Sequence, residues 1–194
     1  MERLKLGCVV MAAGNARRFG ENKLAAELDG RSLIRRALEA VPPEAFDSVV
    51  VVTQYPEIAS LAQEFHFTAI QNQHPDFGIS HTIRLGLTKL TDCDGVLFLV
   101  SDQPLLRRES VAELVDLWRR QPEHIAALSH GGVRGNPCLF PARFFPELLN
   151  LREDKGGNTV IRRHEDCLLL LEVDSRELTD VDTPDAMKQV QEIG

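Results

Sequence analysis

Three stretches of this sequence carry residue types and spacings suited to phosphate and metal chemistry. The first runs Ala12-Ala13-Gly14-Asn15-Ala16-Arg17-Arg18-Phe19-Gly20-Glu21-Asn22-Lys23. Small residues at its start let a backbone approach a ligand closely, so that successive N–H groups can cradle phosphate oxygens. Arg17, Arg18 and Lys23 add cations, and an arginine presents a planar fork matched to phosphate. The same composition also suits a solvated turn whose basic residues face water. The second stretch is Ser101-Asp102-Gln103-Pro104, directly after the apolar run GVLFLV. A carboxylate fixed at a strand end is a rigid ligand for Mg²⁺, which takes one or two carboxylates and completes its shell with substrate phosphates. An Asp there can equally cap the turn that follows. The third is Asp180-Val181-Asp182-Thr183-Pro184. Asp180 and Asp182 alternate along an extended segment and therefore share a face. Thr183 suits a helix cap with Pro184 at the first helical position, although Asp182 is also a capping type. If one triphosphate spans these groups, Lys23 must lie within about 10 Å of Asp102.

Two further segments carry polar groups beside turns. In Asn72–Leu87, Gly78 marks a turn, and Ser80 or Thr82 stands at a helix start, where its hydroxyl caps the helix or faces a ligand. In Gly131-Gly132-Val133-Arg134-Gly135-Asn136-Pro137, two glycines mark a turn before a strand.

The elements that must position these residues follow from hydrophobic periodicity. Short apolar runs at 4–11, 47–53, 67–70 and 95–100 read as strands, the longer ones buried on both faces. Helical spacing covers 32–41, 57–65, 80–90 and 110–120, and Pro42-Pro43 stops the first of these. The resulting β-α-β-α-β-α-β-α order predicts a three-layer α/β/α fold on a mostly parallel sheet. Strands at 125–129, 138–140 and 167–173, with helices at 142–149, 158–164 and 183–193, complete the pattern. Short strands joined by a Gly-rich turn can pair antiparallel, so an antiparallel portion is expected in the C-terminal third. No linker or internal repeat interrupts residues 1–194, which read as one domain. Ligands of open α/β sheets sit beyond the carboxyl ends of the strands, which singles out the loops after Met11 and Val100.

The formal net charge of −7 argues against general affinity for nucleic acid or anionic membranes. The four cysteines are scattered, with no CxxC pair and no His at zinc-finger spacing, so reduced packing thiols and a cytoplasmic location are expected. Neither GxxxxGK[ST] nor GxGxxG is present, which sets aside P-loop ATPases and nicotinamide-dependent dehydrogenases.

The stretch AAG-x-A-x-R-F-G-x-x-K closely resembles the signature of the molybdenum cofactor nucleotidyltransferases, the MobA-like NTP transferases. More widely it resembles that of the sugar-phosphate nucleotidyltransferases. Asn15-Ala16 and Phe19 depart from the common pattern. The resemblance implies that Ala12, Ala13 and Gly14 line a nucleotide pocket, and that Arg18 and Lys23 grip the triphosphate. It also implies that an AAG loop goes with cytidylyl transfer and an AGG loop with guanylyl transfer. Ser101-Asp102-Gln103-Pro104 resembles the family's metal-binding motif. Asp180–Asp185 resembles a second acidic motif, with Asp182 as the other Mg²⁺ ligand and Asp180 beside it. The segment around Asn72, Ser80 and Thr82 resembles the part that reads the nucleotide. Gly131–Pro137 resembles an acceptor-side loop with Asn136 in place of the usual His, and Asp154–Asn158 partly resembles a further family segment. The implied activity is Mg²⁺-dependent transfer of a nucleoside monophosphate from an NTP, most like CTP, to a molybdopterin-type phosphorylated acceptor, with Arg18, Lys23 and Asp102 carrying catalysis. A molybdenum hydroxylase would receive the product. GTP or another NTP, another phosphorylated acceptor, or a non-catalytic cofactor-delivery role are the alternatives.

Overall fold

In the computed structural model, which describes residues 3–14 and 22–193, the chain alternates strand and helix as its periodicity predicts. β1 (Leu6–Ala12) is followed by a small hairpin, β2 (Glu27–Leu28) and β3 (Arg31–Ser32), then α1 (Leu33–Glu39), β4 (Ser48–Thr53), α2 (Pro56–Glu64) and β5 (Thr68–Gln71). Next come α3 (Ile79–Thr88), β6 (Gly95–Val100), α4 (Arg108–Arg120), β7 (Ile125–His130), β8 (Val133–Pro141), α5 (Phe145–Leu149), α6 (Gly157–Ile161), β9 (Leu168–Glu172) and α7 (Pro184–Ile193).

The main sheet has the order β5-β4-β1-β6-β8-β7-β9. β1 pairs in parallel with β4 and β6, β4 with β5, and β7 with β9. β8 runs antiparallel to both its neighbours, β6 and β7. The sheet is therefore mostly parallel, with its antiparallel part in the C-terminal third. Alternate residues of β1 explain the layers: Cys8 and Val10 join one core with Leu33, Ile58, Leu114 and Met187, whereas Val9 joins the other with Ile83, Leu148 and Val160. Helices α1, α2, α4 and α7 thus cover one face, and α3, α5 and α6 the other.

Four details differ from the periodicity. The hairpin β2–β3 escapes it because each strand has two residues; Asp29 (φ 52°) and Gly30 (φ 75°) make its turn. β8 extends nine residues rather than three, because its first half holds Arg134, Gly135 and Asn136 instead of an apolar run. The segment expected helical at 142–149 splits into a 3-10 turn at Ala142–Phe144 and then α5, where Pro146 occupies a helix-start position. The helix expected at 158–164 ends at Ile161.

The chain leaves β1 toward β4 on one side and reaches β6 on the other, so β1 and β6 flank the switch point of the sheet. Ser101, just past β6, donates its hydroxyl hydrogen bond to the Met11 carbonyl at 2.8 Å, locking the two strand ends together. On the opposite face α3 lies directly on the sheet through Gly86. A Cβ there would sit 2.5 Å from Val9 Cγ1 and 2.8 Å from Val9 Cγ2. Among the described residues no helix is long and apolar enough to cross a membrane.

The closeness of α3 predicts the sign of one substitution. Gly86→Ala gains roughly 1 kcal/mol of helix propensity, but overpacking against the stiff Val9 costs about 1–3 kcal/mol. A net destabilisation is expected in urea unfolding, and an unchanged or raised midpoint would show that α3 can slide away.

Candidate active site

Lys23, Asp102 and Asp182 come from three distant parts of the sequence and meet at the end of β6. The Lys23 ammonium donates to Asp102 Oδ2 at 3.3 Å, to Asp182 Oδ1 at 3.1 Å and to the Val181 carbonyl at 3.3 Å. The distance required for a triphosphate-spanning site is met several times over. Two hydrogen bonds enforce the meeting, one within the backbone and one through a side chain. The Val181 N–H donates to the Asp102 carbonyl at 2.8 Å, docking the acidic segment onto the β6 end. Thr183 Oγ1 accepts the Ala186 N–H at 3.1 Å, so Thr183 makes that cap hydrogen bond and the Asp182 carboxylate stays on Lys23.

Asp180 faces the same cluster. Although its side chain reaches solvent, desolvation first, and then the charges of Asp102 and Asp182, push its carboxyl up to about 6. Three carboxylates thus influence one another here, and the ammonium pairs with two of them. Among the described residues no group of three or more His, Cys, Asp or Glu side chains is arranged to hold a metal by itself. Asp102 and Asp182 already share one cation, and hard oxygens in that number suit an ion that takes the rest of its shell from phosphate and water.

A cavity of about 480 Å³ opens beside this cluster, lined by Ala13, Gly14, Lys23, Thr82, Asp102 and Asp154, among others. Gln54 Nε2 donates to the Ala13 carbonyl at 3.0 Å, and Tyr55 Oη donates to the Gly14 carbonyl at 3.3 Å. In a trans peptide the N–H points opposite to the C=O, so the Gly14 N–H is turned away from Gln54. Ala12 is buried within β1. Asn72 and Ser80 do not line the cavity and are almost fully buried. Asn72 instead donates through Nδ2 to Thr82 Oγ1 at 3.2 Å, holding that hydroxyl at the wall. Arg18 lies outside the described residues.

Gly78 shows why a glycine stands at this rim. Its φ is 85°, and a Cβ would fall 2.4 Å from the Glu153 carbonyl carbon. The Ser80 N–H donates to the Glu153 carbonyl at 3.0 Å, which seats the 153–154 segment and brings Asp154 to the cavity.

A second cavity of about 530 Å³ is lined by Gln103, His130, Arg134, Asn136, Asn158 and Asp180, among others. Gln103 is buried; its Nε2 donates to the Leu178 carbonyl at 3.4 Å, while its Oε1 has no partner among the described residues. The turn carrying Gly131 and Gly132 is fastened by Glu172, which accepts from the Ser129 hydroxyl at 2.8 Å and from the Gly131 N–H. Asp180 belongs to this cavity and Asp102 to the first, so the acidic cluster lies at their junction. Burial raises the thiols of Cys93 and Cys138 to about 11 and that of Cys8 further, which keeps them protonated and poorly nucleophilic.

Gln54, Tyr55, Arg134 and Asp154 received no individual site role from sequence reasoning. Arg134 and Asp154 lie inside noted segments, so proximity to those segments was the available signal. Gln54 and Tyr55 act through backbone carbonyls and have no such marker.

Residues 8–167 match the model of the MobA-like NTP transferase domain. The chain is 30% identical over 196 residues to the purine catabolism protein PucB of Bacillus subtilis (strain 168), covering 94% of each chain. It is 27% identical over 129 residues to a molybdenum cofactor guanylyltransferase of Shewanella sp. (strain MR-4), covering 66% of this chain and 64% of that protein. Among solved structures it resembles Rv0371c of Mycobacterium tuberculosis H37Rv, with a TM-score of 0.81, 21% identity, and 97% and 98% of the two chains covered. Rv0371c has also been solved in complex with manganese.

The raised Asp180 carboxyl sets a pH dependence for the protein without ligands. Its folded value of about 6 lies above the ordinary 3.8, so its stabilising contribution is complete below about pH 4 and is lost as pH rises through about 6. Asp180→Asn should therefore raise Tm at about pH 7.5 and leave it nearly unchanged at about pH 4. An equal gain at both pH values would mean that Asp180 titrates normally.

Proposed function

The chain belongs to the MobA-like NTP transferase family, and from that premise we propose that it transfers a cytidylyl group from CTP to a molybdopterin-type phosphate in the cytoplasm. The observation that carries this reading is the convergence of Lys23, Asp102 and Asp182 where two cavities adjoin. The nucleotide takes the first cavity and the acceptor the second.

The acceptor's phosphate monoester is already anionic near neutral pH, so attack on the α-phosphorus needs no general base. An acceptor oxygen bonds to the α-phosphorus while the bond to the bridging oxygen breaks, and pyrophosphate leaves with that electron pair. What this demands of the protein is alignment and cancellation of developing charge. The Gly14 N–H approaches the phosphate chain at close range. Lys23, with Arg18 by the family pattern, neutralises the departing pyrophosphate. Thr82, held by Asn72, and Asp154 fix the nucleotide in the first cavity. Arg134 draws an anionic acceptor into the second cavity, where Asn136 orients it. Asp102 and Asp182 would hold Mg²⁺, which supplies charge neutralisation and a template for the phosphate oxygens when bound. Residues 1–194 act as one unit in this reading, because β7, β8 and β9 extend the sheet that begins with β1.

Cytosine is favoured over guanine by Ala13, which lines the first cavity at the position where the AAG and AGG loops differ. The guanylyl reading keeps its own support in the name of the Shewanella relative. The molybdenum hydroxylase destination is supported by similarity to a protein named for purine catabolism, since hydroxylases resembling xanthine dehydrogenase oxidise purines.

Pyrophosphate release, measured with CTP, GTP, ATP and UTP in the presence and absence of molybdopterin, tests the reading. Release with CTP and molybdopterin together is expected. Preference for GTP would transfer the reading to guanylylation, and binding of the finished cofactor without release would make this a delivery protein. Lys23→Ala should lower turnover by roughly 10²–10³.

Base selectivity has a separate test. Ala13→Gly should lower the CTP-to-GTP ratio of kcat/KM by about tenfold, the scale of one methyl group in a pocket. An unchanged ratio would remove Ala13 from base selection.

A further inference from the structure

The Lys23 side chain is assigned a place on the wrong partners for catalysis. Its ammonium lies on the two carboxylates that the preceding reading gives to the metal. We propose that Lys23 is a displaceable counter-ion that keeps the divalent cation out of the Asp102–Asp182 site until the nucleotide arrives. The inference rests on Asp102 and Asp182 being the metal ligands.

The geometry supports displacement. The three oxygens around Lys23 Nζ lie at 3.1, 3.3 and 3.3 Å, longer than the 2.7–2.9 Å common for bonds between charged groups. The ammonium is therefore spread loosely over three acceptors. Its backbone is anchored: Asn22 Oδ1 accepts the Leu24 N–H at 3.1 Å, Asn22 Nδ2 donates to Glu57 at 3.1 Å, and the Ala26 N–H donates to the Lys23 carbonyl at 3.1 Å. Only the flexible four-carbon arm has to move. Lys23 is also a wall of the nucleotide cavity, so a polyphosphate bound there offers the ammonium new oxygens within reach of that arm.

Charge gives the order of events. A divalent cation entering alone must share the carboxylates with an ammonium of the same sign or drive it into water. A nucleotide brings enough negative charge to hold both cations, so metal and nucleotide should bind with positive coupling. Free metal would not occupy the site ahead of substrate.

Mn²⁺ binding, followed by the loss of the free-ion electron paramagnetic resonance signal, tests this apart from activity. Wild-type protein alone should bind Mn²⁺ weakly, and a non-hydrolysable CTP analogue should tighten binding by at least about tenfold beyond the analogue's own affinity. Lys23→Gln without nucleotide should bind Mn²⁺ about tenfold more tightly than wild type. Lys23→Arg, which keeps the charge, should remain weak. Thermal melts of both variants, with Lys23→Ala as a second neutral variant, separate folding from binding. If the folded neutral variants bind Mn²⁺ no better than wild type, the counter-ion role is wrong while the metal reading stands. If Asp102→Asn binds Mn²⁺ with analogue as well as wild type does, the metal reading itself fails, and this inference with it.

Discussion

Carboxylates repel, and this structure depends on holding Asp102, Asp180 and Asp182 together in spite of that. The restraint begins in the backbone. One hydrogen bond, from the Val181 N–H to the Asp102 carbonyl at 2.8 Å, joins the C-terminal segment to the end of a strand with no freedom of its own. Val96, Leu97 and Leu99 of β6 are fully buried, and Ser101 is tied back to β1. Burial first, and then the charges of Asp102 and Asp182, raise the carboxyl of Asp180. Lys23 offsets part of this rise, and a cation of higher charge would offset more.

The sheet order explains why this cluster stands beside a cavity rather than on a flat surface. Because β4 and β6 lie on opposite sides of β1, the sheet has its switch point, where a ligand crevice forms, at the ends of β1 and β6. One wall is the backbone of Ala13 and Gly14, fixed from behind by Gln54 and Tyr55 just past the end of β4. The other wall is the start of α3, seated without a gap through Gly86. The antiparallel β8 brings Arg134 and Asn136 to the far side of the acidic cluster. A single sheet thereby supplies both cavities, and Asp180 links their electrostatics.

Legibility in the sequence followed the kind of signal each residue leaves. β1, β4 and β6 were readable because strands buried on both faces are continuously apolar, and Asp102 was readable because it interrupts such a run at its end. That Lys23 and Asp182 meet was readable only through motif resemblance, since nothing local says that residues 159 positions apart will touch. Asn72 and Ser80 sit behind the cavity wall: polarity beside a turn marks a hydrogen-bonding residue without saying whether its partner is a ligand or the protein. Gln54 and Tyr55 left no trace, because orienting a carbonyl from behind can be done by many side chains. The first half of β8 was hidden for a related reason, since a strand whose residues face a polar cavity lacks the apolar alternation that announces a strand.

On the proposed reading the two cavities also separate the choice of substrate from the chemistry. The hydrogen bond from Val181 to Asp102 holds the carboxylates, while on that reading the base and the far end of the acceptor are met by other residues. On the proposed reading the base is selected by a methyl group at Ala13, and a single methyl is worth only about 1–3 kcal/mol of discrimination. Exchanging cytosine for guanine is then a small step in sequence. Losing the docking of Val181 onto Asp102 would be a large one, because the carboxylates would separate and Lys23 would lose two of its three partners at once. On that reading selectivity lies at the edges of this site, and the chemistry lies in the part the sheet will not release.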